Sequence, residues 1–125
     1  MAAIITSRNA PAAHGPYSHA VLAGDTLYTS GQIGLIPETG VLAGVTIEAQ
    51  ATQVFSNLKA VLAAADMTFQ NVVKTTVFLT DLNDFAPMNA LYAELFPSNP
   101  PARSCVQVAK LPAGAKIEME VVAIK

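Results

Sequence analysis

Charged side chains are scarce in this sequence. Asp, Glu, Lys and Arg make up 13% of its 125 residues, against about 25% in typical soluble domains. Hydrophobic residues make up 52%. Because a small domain has much surface for its volume, so few polar side chains leave apolar surface uncovered. Apolar surface of this extent usually marks an interface between proteins. The composition therefore predicts an oligomer, without giving the number of subunits.

Cysteine and long apolar runs are also nearly absent. Cys105 stands alone, which excludes an intrachain disulfide and indicates a reducing compartment. No apolar run reaches the roughly 18 to 20 residues of a membrane span, and the N-terminal segment lacks the pattern of a signal peptide. We therefore expect a cytoplasmic protein with no membrane contact. The net charge is −2 and the lysines are scattered, so no nucleic-acid partner is expected.

What the sequence does contain is a succession of strand and helix patterns over one domain, residues 1–125. The predicted elements are a hairpin over 17–34, a helix over 46–66, a strand over 71–80, a helix over 85–96, and strands over 102–109 and 116–124. This order predicts an α+β fold, with a single mixed β-sheet and two helices packed on one face. The other face has too many apolar residues to be left in water, and we expect it at a subunit boundary.

The first predicted helix has a clear apolar stripe. Thr46 is the expected N-cap, and the stripe begins at Ile47 and recurs at helical spacing. The polar residues of this helix fall elsewhere on the helical wheel; they include Gln50, Gln53 and Asn57. Gly31, near the end of the second hairpin strand, indicates a bulge or a close approach to the backbone.

Alternation along the last two strands divides their side chains between the two faces of the sheet. On the first of these strands, the set predicted to face the helices is Ser104, Val106 and Val108. That assignment leaves Arg103 and Cys105 on the opposite face. On the last strand, the apolar set beginning at Ile117 faces the helices and Glu118 does not. We therefore expect Arg103, Cys105 and Glu118 on one face, at the subunit boundary.

Arg103 is one of two arginines in the chain, and two interpretations of it follow from the pattern. The first is an ordinary cross-strand ion pair with Glu118, which contributes about 0 to 1 kcal/mol when exposed. The second is an anion site, because a guanidinium presents a fork of donors that matches a carboxylate in two parallel hydrogen bonds. Charged hydrogen bonds of this kind contribute about 1.5 to 3 kcal/mol each.

Five segments carry more specific information. They are NAPAAHGPYSHA, YTSGQIG, VVKTTVFLTDLNDFAPMN, PPARSCVQVAKLP and KIEMEVVAI, in this order between residues 9 and 124. Together they resemble the Rid family of reactive-intermediate deaminases, formerly called YjgF. The arginine in ARSCV and the glutamate in KIEME are similar to those of the RidA subgroup. The resemblance implies a chorismate-mutase-like fold, assembled as a homotrimer with its sites between subunits.

The same resemblance implies an activity. Members of the subgroup hydrolyse reactive enamines and imines, such as 2-aminoacrylate, 2-iminopropanoate and 2-iminobutanoate, to 2-keto acids and ammonia, without a metal or an organic cofactor. Arg103 would bind the substrate carboxylate, and Glu118 would hold the attacking water. The other substrate-binding residues that the resemblance implies are Tyr17, Ser30, Gly31, Asn89 and Cys105.

Several alternatives remain open at this point. A non-catalytic module that senses small 2-keto acids would use the same arginine. RNA cleavage is disfavoured by the negative net charge. Nucleophilic catalysis by Cys105 is not expected, since no histidine is placed by local pattern to activate it. His14 and His19 form no cluster with further ligands, so we expect no metal site.

Overall fold

The computed structural model describes residues 2–125, in which seven strands form one mixed sheet and two helices pack on one of its faces. The strands are β1 (Ala3–Ile5), β2 (Ala20–Ala23), β3 (Thr26–Thr29), β4 (Gln32–Ile33), β5 (Val72–Leu79), β6 (Ala102–Gln107) and β7 (Ile117–Ile124). The helices are α1 (Ile47–Ala64) and α2 (Phe85–Leu95). The predicted α+β class is confirmed. In these residues neither helix is long and apolar enough to cross a membrane.

The order of the strands places the end of the chain in the middle of the sheet. The order is β1-β2-β3-β7-β5-β6, and β4 also pairs with β7. All pairs are antiparallel except β5 with β6, which are parallel and connected through α2. Glu118 therefore lies on a central strand, whereas Arg103 lies on a strand at the edge.

Helix α1 begins as its sequence predicts. The Thr46 hydroxyl accepts a hydrogen bond from the Ala49 backbone N–H at 3.1 Å, which satisfies one of the free donors of the first turn. Its apolar stripe is buried against the sheet and includes Ile47, Ala51, Val54, Leu58, Val61 and Leu62. Gln50 and Asn57 are buried as well, so the helix is enclosed on a wider arc than the apolar stripe alone indicates.

The predicted faces of β6 are wrong. Arg103 pairs with Thr75 and Cys105 with Val77, and both of these β5 residues are fully buried on the helix face. Arg103 and Cys105 consequently share that face, while Val106 is exposed on the open one. The alternation misleads because β6 is an edge strand, where an apolar residue is not forced towards the helices.

The faces of β7 agree with the prediction. Its buried set on the helix side is Ile117, Met119, Val121 and Ala123. Glu118 pairs with Phe78 on the open face. That open face also presents large exposed apolar side chains, namely Ile4, Tyr28, Val106 and Ile124. Arg103 and Glu118 are therefore on opposite faces of the sheet, which excludes the cross-strand ion pair within one chain.

The N-terminal half differs from the predicted hairpin in two respects. Strand β1 pairs with β2 and is not among the predicted elements, because three residues give too short a pattern. The second hairpin strand is divided into β3 and β4. Tyr28 pairs with Val122 and Gln32 with Met119, so the strand carrying Gly31 has one residue more than its partner. This is a β-bulge, one of the two features that the glycine indicated.

Candidate functional site

The bulge brings Gly31 against the side chain of Glu118. A Cβ atom added to Gly31 would lie 2.7 Å from Cδ of Glu118 and closer still to its Oε2. Real Cβ atoms essentially never make contacts under 3.0 Å. A side chain at position 31 would therefore fit only if the Glu118 side chain moved, and the Glu118 carboxylate rests directly on the backbone of the bulge.

This contact lies in a cleft of about 550 Å³ on the chain. Four of the predicted site residues line the cleft together: Tyr17, Ser30, Gly31 and Glu118. Its apolar walls come from the segment after β4 and from the turn before β7, and include Leu35 and Pro112. The cleft can therefore hold a small organic molecule, and the carboxylate of Glu118 lies at one side of the cleft.

Burial changes the acidity of Glu118. Partial burial raises the pKa of its carboxyl above the ordinary value of 4.5, and the negative charge of Glu120 raises it further. A carboxylate with a raised pKa is a stronger base towards water than an exposed glutamate. Glu118 is thus suited to accept a proton from a molecule held in the cleft.

Ser30 and Tyr17 line the cleft in different ways. The Ser30 hydroxyl donates to the Ser18 carbonyl at 2.6 Å, and its backbone N–H donates to the His19 carbonyl at 2.9 Å. Ser30 therefore ties the bulge to the loop that carries Tyr17. Tyr17 is half exposed, and its ring forms part of the open rim.

The second group of predicted residues lies on the helix face, around Arg103. The Arg103 Nη1 donates to the Asn89 Oδ1 at 2.7 Å. The guanidinium carbon lies 4.6 Å from the centre of the Tyr92 ring and 5.3 Å from that of Phe85. Among residues 2–125 the hydrogen-bond partner of Arg103 is this neutral amide and not a carboxylate. Most of its donors are therefore available to an external anion.

Cys105 lies two residues further along the same face of β6. It is partly buried and packs against the hydrophobic core. Burial raises the pKa of its thiol, and the opposing attraction of Arg103 is the smaller effect. The thiol therefore stays protonated at neutral pH, and a protonated thiol is a weak nucleophile.

Two buried amides that the sequence placed off the apolar stripe hold a wall of the cleft and the segments next to it. Asn57 donates to the carbonyls of Ile33 and Leu35 at 3.1 and 2.9 Å. Gln50 donates to the Gly44 carbonyl at 2.9 Å and accepts from the Lys116 N–H at 2.8 Å. Sequence reasoning missed this role; the available signal was polar residues adjoining the apolar stripe at 50, 53 and 57.

The two histidines do not come together as metal ligands. His14 lines the cleft, whereas His19 is buried. The Nδ1 of His19 accepts from the Ser7 N–H at 3.0 Å, and its Nε2 lies 2.7 Å from the Pro11 carbonyl. Both ring nitrogens therefore hold the N-terminal loop in place. Within residues 2–125 no group of three or more His, Cys, Asp or Glu is placed to hold a metal ion.

Fold and site together define a class of small α+β proteins that present an arginine and a glutamate on opposite faces of one mixed sheet. Residues 7–125 match the family described as Endoribonuclease L-PSP, and the chain belongs to that family. The human 2-iminobutanoate/2-iminopropanoate deaminase is 49% identical over 122 residues, which cover 98% of this chain and 89% of that protein. The resemblance to the Rid family is confirmed.

Further relatives agree with this membership. The chloroplastic Reactive Intermediate Deaminase A of Arabidopsis thaliana is 47% identical over 96% of this chain and 64% of that protein. The crystal structure of RidA from an Antarctic Psychrobacter has a TM-score of 0.95 at 46% identity, covering 98% of this chain and 99% of that one. Escherichia coli TdcF with bound serine has a TM-score of 0.94 at 42% identity, covering 98% of each chain.

Proposed function

We propose that this protein hydrolyses 2-imino acids and their enamine tautomers to 2-keto acids and ammonia. The substrates are 2-aminoacrylate, 2-iminopropanoate and 2-iminobutanoate. The observation that carries the proposal is the state of Arg103, whose guanidinium is held in place by a neutral amide with most of its donors free. The names of the human and Arabidopsis relatives support the same chemistry.

In this proposal Arg103 binds the carboxylate of the substrate in two parallel hydrogen bonds. The adjacent C=N carbon is then fixed relative to a water molecule, so that hydrolysis becomes the attack of a positioned nucleophile. Asn89 holds one N–H of the guanidinium by accepting its hydrogen bond. Cys105 borders the site with its backbone, and the Gly31 backbone N–H assists in holding the carboxylate.

Glu118 accepts a proton from the water as its oxygen bonds to the imine carbon. Glu118 passes this proton to the imine nitrogen, and a carbinolamine forms. The carbinolamine collapses when its hydroxyl proton moves through Glu118 to the amine nitrogen, the C–N bond breaks, ammonia leaves and the C=O bond of the 2-keto acid forms. An enamine substrate first gains a proton on its terminal carbon and loses one from nitrogen to become the imine. No oxidant or reductant is needed in these steps.

One chain cannot bring these two residues to a single substrate, because the sheet separates them. We propose that Arg103 of one subunit and Glu118 of another face each other across a boundary between chains. Tyr17 and Ser30 then complete the wall on the Glu118 side. The assembly is a homotrimer with three such sites, and the exposed apolar residues of the open face would be covered in it.

The test is a coupled assay in which a pyridoxal-phosphate-dependent serine dehydratase makes 2-aminoacrylate in situ. The protein should accelerate the release of pyruvate and ammonia, and Arg103→Ala should abolish that acceleration in a folded oligomer. The matched control is Arg8→Ala, because Arg8 is the other arginine and is exposed on the N-terminal loop. Full activity of the Arg103 variant would contradict the proposal.

A second candidate is a binding module for small 2-keto acids. It is favoured by the observation that Arg103 and Asn89 form a group within one chain, on the face away from Glu118. Under the leading proposal, Glu118→Gln abolishes turnover and spares 2-ketobutyrate binding in calorimetry. A wild-type protein that binds 2-ketobutyrate and never accelerates hydrolysis would establish the module instead. Strong, salt-sensitive RNA binding would contradict the expected absence of a nucleic-acid partner.

A further inference from the structure

The guanidinium of Arg103 is in contact with an aromatic surface as well as with an amide. Its central carbon lies over the Tyr92 ring at 4.6 Å and near the Phe85 ring at 5.3 Å. Both distances are within the roughly 6 Å at which a cation is attracted by an aromatic ring. Asn89 accepts one N–H at the edge of the same group. One face of the guanidinium is therefore shielded by a ring, and one donor is occupied.

The Tyr92 ring is itself immobilised from beneath. Its hydroxyl shares a 2.8 Å hydrogen bond with Thr75 Oγ1, and both residues are buried. Phe55 and Phe96 pack against the ring with centroid distances of 6.4 and 5.1 Å. A ring held at its hydroxyl and on two sides cannot rotate away from the arginine above it.

We infer that Tyr92 is a positioning residue for Arg103. Arginine is a long side chain, and its many rotamers must be reduced to one before its donors can meet a carboxylate in a fixed geometry. The Tyr92 ring fixes the plane of the guanidinium, and Asn89 fixes its rotation within that plane. The donors that remain point along the plane, where a planar carboxylate binds in two parallel hydrogen bonds.

This inference rests on the proposed function and adds a cause for the affinity of the site. The carboxylate-binding geometry is built inside one chain, from β5, β6 and α2, before any ligand or second subunit arrives. Tyr92 does not touch the substrate in this account. It acts through Arg103, so its effect should appear in ligand binding and in KM before it appears in kcat.

The experiment compares Tyr92→Leu with the conservative Tyr92→Phe, using 2-ketobutyrate as the probe in calorimetry and the coupled assay for KM and kcat. Tyr92→Leu should weaken binding by about 10-fold and raise KM to match. Tyr92→Phe keeps the ring and loses the bond to Thr75, so its affinity should stay within about 3-fold of wild type. Its thermal unfolding temperature should nevertheless fall, because Thr75 loses its buried partner.

A purely structural role for Tyr92 predicts a different pattern, with both variants less stable and both binding 2-ketobutyrate normally. A folded Tyr92→Leu protein with wild-type affinity would overturn the inference. Equal loss of binding in both variants would also overturn it, because the hydroxyl and not the ring would then be responsible. If Tyr92→Leu does not fold, Phe85→Leu removes the second ring at the start of α2. It should weaken binding about 3-fold. Unchanged affinity would overturn the inference that the rings of Tyr92 and Phe85, which form an aromatic platform, position Arg103.

Arg103→Ala in the same series separates this inference from the proposed function. If that variant loses 2-ketobutyrate binding while folded Tyr92→Leu keeps it, the inference alone fails. If Arg103→Ala binds as well as wild type, the carboxylate is held elsewhere, and both the proposed function and the inference fail.

Discussion

The two faces of the sheet carry two groups of residues that are built in opposite ways. On the helix face, Arg103 is held by α2 through Asn89 and an aromatic platform. On the open face, Glu118 rests on the backbone of a bulge, beside loops fastened by Ser30 and the amides of α1. The first group is organised by side chains packed on a rigid helix, and the second by backbone shape.

The proposed function gives the two groups different tasks. An anion-binding group needs a fixed plane and a fixed direction, which stacked rings and an amide provide. A water-holding carboxylate needs a cleft, partial burial and a raised pKa, which the bulge and a neighbouring acid provide. Because a sheet lies between them, a reaction that uses both requires two copies of the chain.

Mixing two inactive variants tests whether Arg103 and Glu118 act together from different chains, and it has the largest expected effect. Arg103→Ala lacks the anion group and Glu118→Gln lacks the carboxylate, so each alone should be inactive. After unfolding and refolding them together in equal amounts, about a quarter of the sites of a closed symmetric oligomer should carry both intact residues. The measurement is deaminase activity in the coupled assay. No recovery in a mixed oligomer of normal mass would show that one chain supplies both residues.

A substitution that adds one carbon to the bulge should disturb the Glu118 group and leave the Arg103 group intact. Gly31→Ala forces the Glu118 side chain out of its position, so kcat should fall about 100-fold. Binding of 2-ketobutyrate should remain if Arg103 dominates it. Gly15→Ala is the matched control, because a Cβ there meets its nearest atoms at 3.4 Å, an ordinary contact. An active Gly31→Ala enzyme would show that contact with the bulge does not fix the Glu118 carboxylate for the reaction.

The raised pKa of Glu118 predicts the pH dependence of activity. The ionised form is the one that accepts a proton, so activity should decline as the pH falls through the raised pKa, above the ordinary 4.5. Glu120→Gln removes the neighbouring negative charge and should shift this acid limb towards lower pH. The measurement is kcat/KM against pH for both proteins. If the acid limb lies at the same pH in both proteins, Glu120 has no influence on the carboxyl of Glu118.

The same shift predicts a smaller effect on stability. The folded state binds the Glu118 proton more tightly than the unfolded state, so stability should fall as the pH rises from the ordinary pKa through the raised one. Glu118→Gln removes this loss of stability at high pH, because glutamine does not ionise. Its thermal unfolding temperature should exceed that of wild type at pH 8 and match it more closely at pH 4, with a difference of at most a few degrees. The reverse order would contradict the direction of the shift.

Replacing Cys105 should have the smallest effect. Its thiol is protonated at neutral pH because burial raises the pKa, and its backbone is unchanged in Cys105→Ala. We expect kcat within about 3-fold of wild type, whereas a nucleophile would lose several orders of magnitude. The coupled assay measures this directly, with thermal unfolding as the check on packing.

Local patterns predicted much of the fold. The α1 stripe, the Thr46 cap and the inward set of β7 follow from spacing along the chain, since neighbouring residues impose those periods. The residues of the Glu118 group were implied by the resemblance to the Rid family, and the structure brings Tyr17, Ser30, Gly31 and Glu118 together in one cleft. The bulge followed from one glycine near the end of a strand.

Other features depend on contacts between distant segments. The face of Arg103 was predicted wrongly, because alternation shows which residues share a face and not which face the helices cover. Gln50 and Asn57 were placed off the apolar stripe, although they are buried and their hydrogen-bond partners lie on β4, the loops beside it and the turn before β7. The position of Tyr92 beneath Arg103 follows only from the packing of β6 beside α2.

The order of residues along the chain was enough to specify two amphipathic helices, most strands of a mixed sheet and a short set of polar residues with the chemistry of an anion site. Periodicity is a local property, so it can be read without knowing any partner. The division of Arg103 and Glu118 between opposite faces was settled by pairing with β5, the strand adjacent to both β6 and β7. Strand pairing joins residues far apart in sequence, and tertiary packing therefore determined which chemical groups can meet.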